Sequence, residues 1–519
     1  MTESTYFSRP ALTALCAALA LSGCVVGPNY KGPSDVAPTA AAANAFQRAP
    51  QAIVNNGPTV ANWWDSLHDA QLSALINDAI AHSPDIRVAE ARLRQARAGL
   101  QQSRANALPN MTAQGIVIDT RSPNTGALQG LLGSQQGQQA QAQQPASTGR
   151  GPVQLYDTGF DATWEVDLFG GTKRAIESAS AAAEAGEANL ADAHVSLAAE
   201  VAQAYVGLRD QQLRLVLIRQ SAQLQQQMLE LSMQRRARGA ASDADITQLR
   251  AQLESTQATA IPLDAQIAES LDAIAVLCGR EPGSLNAQLG APADLPTLPE
   301  TVAVGNPAAM IARRPDIRAA ERTLAAQSAQ VGVKTAARFP KLQLIGSLGF
   351  AAGDPGHLLR KDSFTWAGIP YLSWNFLDFG RNKAAVGQAQ AALDEADASY
   401  RGAVLRALQD AETSLSRYGH QRDNQASVLR QQALTERGSA YVEQRFQVGA
   451  ANLIDRYDSQ RNILSAKQNV VSGEAQLLKD FIALQKSLGL GWEDAAEQIR
   501  AAGEPRDKDA VHTPPKEKS

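Results

Sequence analysis

Cys24 is the side chain whose neighbours define a reaction most clearly. Arg9 precedes an apolar stretch from Ala11 to Leu21, which ends in Leu21-Ser22-Gly23-Cys24. A basic start, a short apolar core and small residues at a cleavage point describe an export signal. A cysteine directly after those small residues adds lipid chemistry: the thiol is acylated and Cys24 becomes the first mature residue. Val25 follows where an acidic residue would suggest retention at the inner membrane, so the outer membrane is the expected destination. The several acyl chains of a bacterial lipoprotein hold firmly where one chain would not. Cys16 leaves with the signal and Cys24 carries lipid, which leaves Cys278 with no disulfide partner.

Other reactive residue types are scattered. The six histidines (68, 82, 194, 357, 420 and 512) are isolated, and no HExxH, CxxC or phosphate loop occurs. Gly170-Gly171 lacks the rest of a nucleotide fingerprint, and five methionines without paired histidines do not suggest a metal site. No catalytic constellation emerges, so an enzyme is not expected, and the only expected prosthetic group is the lipid on Cys24. A formal charge of -4 offers no basic face to nucleic acid. Asp157, Asp161, Glu165 and Asp167 do fall into a pattern. They alternate with Phe160, Ala162, Trp164, Val166 and Leu168, giving a strand with one acidic and one apolar face. In a soluble sandwich the apolar face meets a core. In a membrane barrel it meets lipid, and the acidic face lines water, where it selects cations or simply keeps the pore wet.

The elements that carry these residues are written twice. Ser83-Pro84-Asp85-Ile86-Arg87 returns as Arg314-Pro315-Asp316-Ile317-Arg318 at an offset of 231. Trp164 to Gly170 returns as Trp374 to Gly380, and Gly239-Ala240-Ala241 as Gly449-Ala450-Ala451, at an offset of 210. The first copy therefore holds a 21-residue insertion between Pro109 and Trp164, placed in the Gln- and Gly-rich stretch 121–152. Each copy gives a hairpin of two strands, about 111–120 with 153–168 and about 341–352 with 364–378. About ten residues per strand suffices to cross a bilayer at a tilt.

Each hairpin runs into a proline-free stretch, 173–238 or 381–447, that reads as one helix about 100 Å long. Gly239 and Gly449 read as stops, and Ser242 and Asn452 as caps of returning helices over 243–277 and 453–487. Pro262 is expected to kink the first of these. The shorter helices 84–107 and 243–277, stacked end to end, nearly match the long one. Helices polar on most of their circumference fit a wall wet on both sides. No run of eighteen uncharged apolar residues lies beyond the N-terminus, so helical membrane spans are not expected.

Four strands cannot close a barrel, and lipid tolerates no open strand edge. Oligomerisation follows: two chains give eight strands and little lumen, three give twelve and a channel.

The run Arg313-Arg314-Pro315-Asp316-Ile317-Arg318-Ala319-Ala320-Glu321 resembles a hallmark of the outer-membrane factors, the TolC-like efflux ducts. So do Cys24-Val25-Val26-Gly27-Pro28-Asn29-Tyr30, Trp63-Trp64 and Phe339-Pro340, and the lipid anchor resembles the OprM and NodT branch. The resemblance spans Cys24 to about Trp492. It implies an α+β membrane protein: a β-barrel of four strands per chain and twelve per trimer, continued by a long α-helical periplasmic barrel. It also implies a homotrimer working with a periplasmic adaptor and an inner-membrane transporter of the resistance-nodulation-division class, exporting small molecules. The periplasmic end would be a gate at the turns Gly239 and Gly449. By the same resemblance Ile454, Asp458 and Arg461 line or brace it, and their i, i+4, i+7 spacing puts them on one helix face. Asp245 matches an acidic position whose basic partner, two residues before Gly449, is here Gln447.

The expected organisation is a signal peptide (1–23), a lipidated tether (24–62), two repeats (63–290 and 291–492) and a charged, disordered tail (493–519). Two other readings compete with the efflux duct: an exit duct for type I protein secretion, and a structural periplasmic coiled-coil lipoprotein. The lipid anchor disfavours the first, and two amphipathic hairpins disfavour the second.

Overall fold

A computed structural model describes residues 25–50, 54–55, 57, 59–120 and 153–492. Cys24, the stretch 121–152 and the tail 493–519 lie outside the described residues. The elements, numbered among the described residues, begin with α1 (Pro38–Ala41), β1 (Val54–Asn55), α2 (Ala70–His82) and α3 (Pro84–Ala105). The first hairpin is β2 (Asn110–Thr120) and β3 (Val153–Val166), followed by α4 (Gly171–Ala237) and α5 (Asp243–Leu277). A connection with α6 (Asn286–Leu289), β4 (Val302–Ala303) and α7 (Pro307–Arg313) leads to α8 (Pro315–Ala336). The second hairpin is β5 (Lys341–Ala352) and β6 (Phe364–Ser373), followed by α9 (Arg381–Gln447) and α10 (Leu453–Ser487).

Two compact units share these elements. One is made of Ala96–Ala183 and Leu324–Ala396 with the chain up to Gly32; the other is Pro33–Gln95, Glu184–Thr323 and the chain from Asp397 onward. The first holds a four-stranded antiparallel sheet of order β2-β3-β5-β6. Its registers repeat residue for residue. Asn110 faces Thr163 in one hairpin and Lys341 faces Ser373 in the other, the offsets 231 and 210 read from the sequence. Phe160, Ala162, Trp164 and Val166 share a face with Leu348, Gly346, Leu344 and Leu342, so the alternation in one strand continues across the sheet. At Gly159 and Gly349, which face each other, the strands approach so closely that a Cβ on Gly159 would lie 2.6 Å from the Leu348 carbonyl oxygen.

α4 and α9 each run unbroken for 67 residues, about 100 Å at 1.5 Å per residue. In the second unit α5 returns along α4. Leu215, Ile218 and Leu263 form one small core, and Leu229, Ile246 and Leu253 another. Helices with so narrow an apolar stripe leave most of their surface polar. α5 is continuous across Pro262, whose missing N–H removes one internal hydrogen bond without ending the helix.

One strand end departs from expectation. β6 ends at Ser373, short of the expected 378. The tether is anchored at several points: β1 pairs in parallel with β4, Phe46 is buried, and the Gln47 and Arg48 amides donate to Glu412 at 2.9 and 2.8 Å. As the stacking of 84–107 on 243–277 predicts, the helices meet end to end, at tightly closed joints. Gly279, at φ +68 beyond α5, leaves no room for a Cβ against the His82 carbonyl, and Gly489, at φ +70 beyond α10, presses on Arg314.

Candidate functional site

Both helix turns are built alike. Gly239 takes φ +74, its amide donates to the Arg236 carbonyl at 2.8 Å, and the Ala240 amide donates to the Arg235 carbonyl at 2.8 Å. Gly449 takes φ +75, with Gly449 to Phe446 at 3.0 Å and Ala450 to Arg445 at 2.7 Å. These paired bonds satisfy the last helical carbonyls and require a left-handed residue, which is why glycine stands there. A reciprocal cap follows each turn. The Ser242 hydroxyl accepts from the Asp245 amide and the Asp245 carboxylate from the Ser242 amide, both at 3.1 Å. Asn452 and Asp455 repeat this at 2.9 and 3.0 Å.

The cap accounts for Asp245. The Ser242 amide, then the Ser242 hydroxyl, hold its carboxyl below the ordinary aspartate range. Its hydrogen bonds to Ser242 belong to the turn itself, not to a basic residue near Gln447.

Ile454, Asp458 and Arg461 lie in the first turns of α10, and Ile454 is half-buried. Arg461 Nη2 stands 3.4 Å from Asp458 Oδ1, and Nη1 donates to Gln252 of α5 at 3.4 Å. The structure thus brings Asp458 and Arg461 together and ties them to the other copy's returning helix. The repeat-equivalent positions Ala244, Gln248 and Ala251 carry no charge, so the constellation exists once per chain. Further ion pairs close each turn: Arg236 with Asp243 at 2.5 Å, and Arg456 with Glu443 at 2.6 Å, the latter guanidinium lying 5.2 Å from the Phe446 ring.

Other polar side chains brace the chain away from these turns, and their roles are not visible in spacing. Arg313 and Arg314 cap α10: Arg313 Nη2 donates to the Leu488 carbonyl at 2.8 Å and Arg314 Nη1 to the Ser487 carbonyl at 2.6 Å, while Asp316 grips Arg314 at 2.7 and 3.0 Å. Arg209 is 1% exposed and donates to Gln71, Gln212 and the Leu289 and Ala291 carbonyls, with its guanidinium 4.9 Å from the Tyr205 ring. Burial pushes the Tyr205 hydroxyl up to about 12, and that hydroxyl donates to Asp69 at 2.8 Å. Arg174 clamps the chain just after Cys24, donating to Val26 O at 3.2 Å and Asn29 Oδ1 at 2.5 Å. Trp164 and Trp374 donate their indole N–H to Ala107 O and Arg338 O at 2.9 and 3.1 Å.

A family model described as "Outer membrane efflux protein" matches residues 75–280 and 306–490. The chain belongs to that family. The unmatched gap, 281–305, falls at the seam between the repeats. Nodulation protein T of Rhizobium leguminosarum bv. trifolii is 28% identical over 480 residues, covering 92% of this chain and 97% of the relative. The pyoverdine export outer membrane protein OpmQ of Pseudomonas aeruginosa is 31% identical over 440 residues, covering 84% and 88%. Among solved structures, the outer-membrane channel OprN superposes with a TM-score of 0.79 at 32% identity, covering 90% of this chain and all of that one. This outer membrane efflux protein is therefore an outer-membrane channel component of an efflux system, with a strand domain in the membrane and helices extending into the periplasm.

Proposed function

We propose that three copies of this chain form one channel that passively carries small molecules out of the cell. In this reading a periplasmic adaptor and an inner-membrane transporter of the resistance-nodulation-division class supply the substrate and the energy. The observation that carries the reading is the open sheet: among the described residues β2 and β6 each pair on one side only, and both bear exposed apolar residues. An unsatisfied strand edge is not tolerated in hydrocarbon, so the edges must meet those of other copies. Four strands per chain make twelve with three chains, wide enough for a lumen where eight leave little. The name of the pyoverdine-exporting relative supports a small-molecule cargo. Acylation of Cys24 anchors each copy, and Ile454, Asp458 and Arg461 narrow the periplasmic mouth, braced on Gln252.

The purified full-length protein tests this. Unheated in SDS it is expected to migrate as a trimer that heat converts to a single chain, and in liposomes it conducts ions. A single-chain species before heating, or no conductance, overturns the reading.

A further inference from the structure

The internal repeat makes each contact between neighbouring halves a template for a second one. Contacts within a half occur twice: Trp164 with Ala107 returns as Trp374 with Arg338, at the offsets 210 and 231. Contacts from the first half to the second occur once. Val166 faces Leu342, Trp164 faces Leu344 and Gly159 faces Gly349. Lys341 Nζ donates to Glu165 at 3.0 Å. Phe169 stacks on Phe339 at 4.6 Å, the planes 18° apart.

The same offsets name the residues that would make each contact from the second half to a first half. Val166 and Leu342 become Phe376 and Met111. Trp164 and Leu344 become Trp374 and Ala113. Gly159 and Gly349 become Ile369 and Ile118. Lys341 and Glu165 become Asn110 and Asn375, two amides able to hydrogen-bond each other. Phe169 and Phe339 become Phe379 and Leu108. Within the chain these residues are left open: Phe379 is 84% exposed, Phe376 77%, Met111 68% and Leu108 66%. A Cβ on Gly380 would meet nothing within 4 Å, whereas one on its counterpart Gly170 would strike Val25.

The short β6 fits the same picture. Its counterpart β3 extends to Val166 because β5 pairs with it there. β6 stops at Ser373, three residues short of the equivalent Phe376.

We propose that residues 369–376 pair antiparallel with residues 111–118 of a second copy, in the register Phe376 to Met111, Trp374 to Ala113 and Ile369 to Ile118. Residues 374–376 become strand on pairing, Phe379 packs on the partner's Leu108, and Asn375 bonds the partner's Asn110. This rests on the trimer reading and adds the register, which that reading leaves open. A slip of one residue would turn every lipid-facing side chain toward the lumen.

The test is a pair of cysteines in the full-length protein, Thr112→Cys with Asn375→Cys, which this register places opposite each other. Oxidised membranes are expected to give disulfide-linked dimers and trimers on a non-reducing gel. Gln114→Cys with Asn375→Cys moves one partner two residues along the strand, beyond the reach of about 7 Å between Cα atoms, and should link about tenfold less. Equal linking by both pairs, or none in a protein that still migrates as a trimer, overturns the register. A protein that never migrates as a trimer overturns the trimer reading beneath it. As a second measurement, Asn110→Lys with Asn375→Glu recreates the Lys341–Glu165 pair. The double variant should dissociate in SDS at a higher temperature than either single variant, and equal or lower stability counts against the contact.

Discussion

The Asp458–Arg461 pair gives the proposed periplasmic gate a magnitude. The two side chains are 45% and 33% exposed and stand 3.4 Å apart, with a second 3.4 Å contact from Arg461 to Gln252. A pair this wet contributes about 0.2–1 kcal/mol. One such pair shifts an open–closed equilibrium by at most about fivefold, too little to hold a channel shut. Three copies moving together would add to at most about 3 kcal/mol, or about 150-fold. Asp458→Ala is therefore expected to raise open probability in planar bilayers by about 3-fold to 150-fold if the mouth opens in concert. Ile454→Ala should then widen the conducting pathway and raise single-channel conductance. Arg461→Ala should match Asp458→Ala, and the double variant should add little beyond either, because each single change already breaks the pair. Additive effects, or an unchanged open probability in all three, would refute the assignment. Thermal stability should barely move, which separates a latch from a structural prop.

Arg209 should behave in the opposite way. Arg209→Met leaves the Ala291 carbonyl and the Gln212 side-chain oxygen without their donor, a loss of about 2–6 kcal/mol for two unsatisfied groups. Arg219→Ala removes an exposed 3.0 Å pair with Asp264 and should cost under about 1 kcal/mol, so comparable denaturation midpoints for the two variants would contradict the account. Asp192 carries a carboxyl raised above its ordinary value, first by burial and next by Asp316, against Lys486 and Arg314. Its folded form holds the proton more tightly than the unfolded chain, so stability falls as pH rises from about 4 through the raised value and is flat above it. Asp192→Asn should thus raise the unfolding midpoint at neutral pH and lose that advantage on acidification; a gain independent of pH would count against it. Gly332→Ala places a Cβ 2.8 Å from Arg174 Cγ and should loosen the clamp on Val26 to Asn29, at about 1–3 kcal/mol. Faster proteolysis at residues 26–30 would report it, whereas Gly402→Ala, which meets only the end of Arg406, should leave cleavage unchanged.

Much of the architecture is legible from local signals. Proline-free stretches marked α4 and α9, and left-handed glycines marked the turns. A period of two identified β3, with its acidic and apolar faces. The reading of the hallmark arginines as a family signature was correct but silent on their work. Only the end-to-end meeting of α10 with α8 reveals Arg313 and Arg314 as caps on Ser487 and Leu488. The tether's contacts, Arg174 and Glu412 among them, lie more than a hundred residues away, so no local spacing marks them.

By itself the sequence determined the duplication, the lengths of the helices, their stops and caps, and which strand face is apolar. Each depends on residues within a turn or two of one another, so composition and spacing carry it. Tertiary structure decided which charges are buried and that Arg461 reaches Gln252. It also decided where β6 ends, because a strand stops where its partner does. Those outcomes depend on which distant backbone supplies or withholds a hydrogen bond, and no local period encodes that.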